Sequence, residues 1–149
     1  MTRGIILDTG PLVALLNARD PHHDWVCTQW DLIEFPLLTC DAVVAEACFL
    51  ARRLTHRGQE KVLEFVRRGA IDLSFPLAVE IDSVAQLAAK YRNVRMSLAD
   101  ACLVRMSELH RSSPVLTLDS DFTIYRRSRR QPIPLLSPSL SPPKSISAE

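Results

Sequence analysis

Gly4-Ile5-Ile6-Leu7-Asp8-Thr9-Gly10-Pro11-Leu12-Val13-Ala14-Leu15-Leu16 is the stretch on which the reading of the fold turns. Its first half is a short apolar run that ends in an acid, as a buried strand does where the chain leaves the sheet. Thr9-Gly10-Pro11 then opens a helix through Leu12, Val13, Leu15 and Leu16, because proline is tolerated in a first helical turn. Strand, turn and helix therefore follow within thirteen residues, and Asp8 stands at the carboxyl end of the strand.

Working outward, the same alternation repeats. Asp20-Pro21 breaks the chain, a helix is expected over 22–34, and Phe35-Pro36 precedes a short strand over 37–40. Asp41 reads as the N-cap of a helix over 42–54, Gly58 punctuates, a periodic segment spans 60–68, and Gly69 closes it. The alternation of Ile71, Leu73 and Phe75 against Asp72 and Ser74 predicts a strand over 70–75, near a sheet edge. Helices over 78–91, carrying Val79, Val84, Leu87 and Ala88, and over 97–111 follow. A strand over 115–118 runs directly into Asp119, and a last strand covers 133–136. Strands alternating with helices imply an α/β fold: a three-layer α/β/α sandwich around a parallel sheet with right-handed crossovers. One domain is expected over 1–136. The Ser/Pro-rich segment 137–149 has little to bury and reads as a disordered tail.

A chain of 149 residues with 47% hydrophobic content can bury a core without disulfides or a structural metal. No apolar run approaches the roughly 20 residues that span a bilayer, and the opening residues turn acidic too soon for a signal peptide, so a cytoplasmic protein is expected. Cys27, Cys40, Cys48 and Cys102 lack C-x-x-C spacing and read as reduced core residues. His22, His23, His56 and His110 match no zinc-site spacing and are expected at the surface. The net charge of +1 hides two basic clusters, one of Arg52, Arg53, Arg57, Arg67 and Arg68, the other of Arg126, Arg127, Arg129 and Arg130. Each fits a solvated face; around an acidic centre, each would equally suit a polyanion.

The acids carry the chemistry. Asp8 and Asp119 both fall where strands end, the edge at which open parallel sheets bind ligands. Each also reads blandly, Asp8 as a helix cap and Asp119 as a turn former. Glu46 lies in Ala42-Val43-Val44-Ala45-Glu46-Ala47-Cys48-Phe49-Leu50, a helix apolar on nearly every side, where a buried carboxylate needs a cation or hydrogen bonds. A surface position or an arginine partner is its other reading. Ser97-Leu98-Ala99-Asp100 has capping-box spacing, and an acid in a first helical turn is held ionised by the helix dipole. Four such placements together point to oxygen-only ligation of Mg²⁺ or Mn²⁺ and to phosphodiester hydrolysis.

On these motifs the chain resembles the PIN-domain ribonucleases, in particular the VapC-like toxins of toxin–antitoxin pairs, over about residues 4–136. The opening Ile5 to Leu16, the stretch Asp20-Pro21-His22-His23, Glu46, Ser97-Leu98-Ala99-Asp100-Ala101 and Thr117-Leu118-Asp119-Ser120-Asp121-Phe122 carry the likeness. The resemblance implies an endoribonuclease with Asp8, Glu46, Asp100 and Asp119 as catalytic metal ligands, Mg²⁺ or Mn²⁺ as cofactor, a homodimer, an RNA substrate and a cognate antitoxin. Thr9, Ser97 and Thr117 fall in supporting positions, and Asp121 is placed to act through a water or a neighbouring ligand. Arg126, Arg127, Arg129 and Arg130 are expected to contact RNA or antitoxin. A PIN-like module that binds without cleaving is the alternative. A haloacid-dehalogenase-like phosphatase is disfavoured because Gly10 stands where its second aspartate belongs, and a receiver domain because its acidic pair and late lysine are missing.

Overall fold

The computed structural model describes residues 4–138. Five parallel strands form one sheet in the order β3-β2-β1-β4-β7, where β1 is Ile6–Leu7, β2 Leu37–Leu38, β3 Ile71–Asp72, β4 Val115–Leu116 and β7 Leu135–Leu136. The paired stretches are short, but ladder bonds continue beyond them, as in Asp8 N–H to Leu116 O at 3.0 Å and Thr117 N–H to Leu136 O at 3.1 Å. Strand order reverses at β1, which lies between β2 and β4. Asp8 therefore leaves the sheet at the topological switch point, where the crossovers on either side diverge and open a crevice.

Among the described residues six helices cover the sheet: α1 Thr9–Leu16, α2 His23–Leu32, α3 Asp41–Leu54, α4 Gly58–Arg67, α5 Ile81–Lys90 and α6 Leu98–Leu109. The three-layer arrangement follows from β1 itself. Ile5 and Leu7 pack with Leu12, Val13, Val44, Ala47 and Val62 on one face, and Ile6 packs with Val84, Ala101, Leu103 and Tyr125 on the other. A strand covered on both faces has no reason to alternate in polarity, which is why Ile5-Ile6-Leu7 is a continuous apolar run. Val43 faces one core and Val44 the other, so α3 serves both layers.

Several elements differ from expectation. Asp41 is not a cap; Cys40 occupies that position without a side-chain cap bond, and Asp41 is exposed in the first turn of α3. The strand at 70–75 shrinks to Ile71–Asp72 because the Asp72 carboxylate accepts from Ser74 N–H at 2.8 Å, turning the chain out of the ladder. It is indeed an edge strand. α5 begins at Ile81 rather than 78: Val79 and Glu80 N–H groups both reach Pro76 O in a preceding turn, and Val79 is exposed, not core-facing. The ladder of β4 ends before Leu118, so Asp119 stands beyond the strand rather than directly on its end. Between η2, a short 3₁₀ turn at Ser120–Thr123, and β7 lies an unforeseen antiparallel hairpin of β5 Arg126–Arg127 and β6 Gln131–Pro132. Its turn needs left-handed backbone at Ser128 (φ 48°) and Arg129 (φ 76°), where neither glycine nor asparagine announces it.

Gly58 is more than punctuation. A Cβ there would lie 2.1 Å from the Ala51 carbonyl oxygen, so only glycine lets α4 start against the end of α3. The cysteines are free; Cys40 and Cys102 are buried as expected of core thiols, whereas Cys27 and Cys48 are only half-buried. Ser137 is buried, and most of the expected tail, residues 139–149, lies outside the described residues.

Candidate active site

Asp8, Glu46, Asp100 and Asp119 line one open cleft of about 280 Å³ together with Thr9, Gly10, Leu50 and Leu118. Each acid reaches it from a different element. Asp8 caps α1, its Oδ1 accepting from Thr9 N–H at 2.7 Å, while Oδ2 accepts from the Thr117 hydroxyl at 2.7 Å. The same Thr117 oxygen accepts from Asp119 N–H at 2.9 Å. One threonine thus ties the end of β1 to the segment after β4 and sets both acids. The Asp119 carboxylate in turn accepts from Asp121 N–H at 2.9 Å.

Asp100 projects from the first turn of α6, which Ser97 caps by accepting from Asp100 N–H at 3.1 Å. Its Oδ2 accepts from the hydroxyl of Tyr125 at 2.8 Å. Tyr125 is wholly buried and stacks edge-on against Tyr91 and Phe122, so the phenol is a rigid donor aimed at a half-buried carboxylate. The sequence reading missed this residue. Its partner lies 25 positions away, and nothing near Tyr125 marks it as polar in purpose.

Glu46 corrects its own premise. It is exposed, not buried, because Val43, Val44, Ala47 and Ala51 are the residues of α3 that face the core. It stands at the rim of the cleft, where its carboxylate accepts from the Thr9 hydroxyl at 3.1 Å.

The electrostatics follow from this crowding. Burial pushes the Asp8 carboxyl up to about 7, opposed by the bonds from Thr117 and Thr9 and reinforced by the negative charges of Asp100 and Asp119. Asp100 is raised too, chiefly by burial, then by Asp119 and Glu46. The Tyr125 phenol is held well above its ordinary value by burial and by Asp100, so it stays a donor. Among the described residues no group of three or more His, Cys, Asp or Glu side chains is already drawn together around one point. The acids instead ring the cleft. Carboxylates crowded this way repel one another and resist ionisation, and a divalent cation relieves both costs. The donor set, all oxygen, is that of a hard cation.

A family model described as PIN domain matches residues 5–127. The chain belongs to the PIN-domain family. Ribonuclease VapC26 of Mycobacterium tuberculosis is 34% identical over 116 residues, covering 77% of this chain and 86% of that protein, which puts the chain on the VapC-like side of the PIN domains. The crystal structure of Mycobacterium tuberculosis VapC20, a sarcin-ricin-loop-cleaving toxin, superposes with a TM-score of 0.72 at 20% identity, covering 87% of this chain and 100% of the other. At that identity the likeness speaks to the fold, which is the PIN-like three-layer α/β/α. PIN-domain ribonucleases are in general dependent on divalent metal.

The late arginines do not share one role. Arg127 is buried, and its Nη1 donates to Ser107 O and Arg111 O, both at 2.8 Å. Ser107 O belongs to the last turn of α6 and Arg111 O lies just beyond the helix, so Arg127 clamps a helix C-terminus and is not free to meet RNA or antitoxin, contrary to expectation. Arg126 Nη1 donates to the carbonyls of Thr123, Ile124 and Tyr125. Arg129 and Arg130 are exposed on the hairpin turn. In the mid-chain cluster Arg57 pairs with Glu60 and Arg67 with Glu64 across helical turns, as solvated faces do.

Proposed function

We propose that this PIN-domain protein is an endoribonuclease toxin that hydrolyses RNA phosphodiester bonds with Mg²⁺ or Mn²⁺ held by Asp8, Glu46, Asp100 and Asp119. The observation that carries the reading is that four acids from four separate elements line a single cleft at the sheet's switch point. Bound there, the ion supplies Lewis acidity for activating water and for charge on the leaving oxygen. The chain's own residues prepare the site. Thr117 and Thr9 N–H hold the Asp8 carboxylate in one orientation, Tyr125 holds Asp100, and the Thr9 hydroxyl turns Glu46 inward. Asp121 acts through Asp119, to which its backbone N–H is joined. Asp8, whose carboxyl burial holds at about 7, is the acid whose ionised form a bound cation would most favour.

VapC-like membership supports a homodimer acting in the cytoplasm and neutralised by a cognate antitoxin. Exposed Phe49, Leu54, Leu98 and Ile124 offer apolar surface for such contacts, and no helix among the described residues is long and apolar enough to cross a membrane. Arg129 and Arg130, with part of the Arg126 guanidinium, are the late arginines available to phosphates. The test is cleavage of structured RNA by purified protein: activity with Mn²⁺ that stops with chelator and returns on adding metal supports the reading. Cleavage that persists in chelator, or none with either metal, refutes it.

A further inference from the structure

A second concavity, larger than the acidic cleft at about 460 Å³, opens between α5, the C-terminal half of α6 and the β5–β6 hairpin. It is lined by Lys90, Arg105, Arg111, Arg126 and Arg129, with Glu108 as its sole acid and Leu87 as its sole apolar residue. Arg105 is already neutralised by Glu80 at 2.7 Å and Glu108 at 3.2 Å. The other four cations meet no carboxylate among the described residues. Lys90 Nζ donates to Arg129 O, Arg111 reaches the Ser128 hydroxyl and the Gln131 amide oxygen, and Arg126 meets only carbonyls. Four like charges gathered around one groove cost free energy unless an anion serves them.

The groove is coupled in space to the acidic cleft. α6 carries Asp100 at its start and Glu108 near its end, eight residues later, which is roughly 12 Å along the axis at 1.5 Å per residue. Tyr125, which holds Asp100, is followed directly by Arg126 in the groove wall. A gap of that size is short enough for one RNA strand of a few nucleotides to reach both the cleft and the groove.

We propose that this groove is a phosphate-binding exosite for the RNA strand flanking the bond to be cut, with Lys90, Arg111, Arg126 and Arg129 meeting its backbone. This rests on the ribonuclease reading and adds to it a length requirement in the substrate. Guanidinium groups match phosphate oxygens in bidentate fashion, and Ser83, Gln86 and Ser128 in the lining suit 2′-hydroxyls. An acidic protein segment is the lesser fit, since such a segment docks with apolar side chains and the lining offers Leu87 alone.

The experiment measures binding in chelator, so that it is independent of cleavage, with oligouridylates of 4 and 12 nucleotides as probes. The 12-mer is expected to bind more tightly than the 4-mer, and Lys90→Gln with Arg129→Gln to remove most of that advantage. Loss of two phosphate contacts flattens the slope of log affinity against log salt by about 1.4 and weakens the 12-mer roughly tenfold at 0.1 M salt. Arg68→Gln, beyond α4 at the opposite sheet edge, controls for bulk charge and is expected to change neither. A measurement on the unaltered chain guards against misfolded variants: the 12-mer should shield the Lys90 amine from acetylation and leave that of Lys61 on α4 open. Equal binding and equal salt slopes in parent and double variant, or an unshielded Lys90, overturn the proposal. So does displacement of the 12-mer by an oligoglutamate of the same length at equal or lower concentration, which would assign the groove to an acidic protein partner. Failure of the ribonuclease reading is seen separately, as absence of metal-dependent cleavage.

Discussion

Replacing Asp8 with asparagine should abolish cleavage and yet stabilise the metal-free protein above pH 7. The folded protein holds this carboxyl at about 7 against an ordinary 3.8, so between those values the native state binds a proton that the unfolded chain has lost. Stability therefore falls as pH rises from 4 toward 8. At 1.36 kcal/mol per unit, the full cost of ionising Asp8 is about 4 kcal/mol. Asparagine removes that cost but offers one acceptor where Thr9 N–H and the Thr117 hydroxyl now use two oxygens, which returns about 1–2 kcal/mol. The expected net gain at pH 8 is about 2–3 kcal/mol, or roughly 4–12 °C in Tm for a chain of this size. Thermal melts of both proteins in chelator should show the gain at pH 8 shrinking and reversing by pH 4, where the folded-state carboxyl is protonated and little of the ionisation cost remains. A variant less stable than wild type at pH 8 would mean that Asp8 is an ionised structural cap, and the argument from desolvation would be wrong.

Asp119→Asn should weaken Mn²⁺ binding and slow cleavage by orders of magnitude, whereas Asp121→Asn, outside the cleft lining, should cost roughly 10–100-fold; metal titrations that reverse the order would put the wrong acid in the cleft. Tyr125→Phe keeps the ring packing and deletes the 2.8 Å bond to Asp100, so Mn²⁺ affinity measured by calorimetry should drop roughly 10–100-fold, and an unchanged affinity would reduce the tyrosine to a packing residue. Gly58→Ala forces a Cβ to within 2.1 Å of Ala51 O and should destabilise by about 1–3 kcal/mol in a denaturant titration. A neutral result there would show that α3 and α4 can separate freely.

The acids were legible because their signals are local. A strand's end, a helix's first turn and a Thr-x-Asp segment are written in neighbouring residues, and Asp8, Asp100 and Asp119 reach the cleft from such places. Glu46 was placed in the cleft for an imperfect reason: runs of alanine and valine around it suggested burial, but the core face of α3 is Val43, Val44, Ala47 and Ala51, and Glu46 stands exposed at the cleft rim beside Thr9. What went unread depends on distant partners. Tyr125 bonds to Asp100 and Arg127 to carbonyls of α6, contacts that exist only once the hairpin folds back on that helix. Among the four arginines at 126, 127, 129 and 130, burial of one could not be told from the exposure of the others, since all share one charge; Arg126 and Arg127 fall on alternate sides of β5 and the other two in the turn beyond it.

The central claim is that Asp8, Glu46, Asp100 and Asp119 together hold the divalent ion used for RNA hydrolysis. Crystals soaked in Mn²⁺ and measured at its absorption edge test this most directly. The account predicts an anomalous peak inside the acidic cleft, within about 2.5 Å of carboxylate oxygens from this set, and its loss in crystals of Asp8→Asn. An empty cleft at saturating Mn²⁺, or a peak held by other side chains, would contradict it.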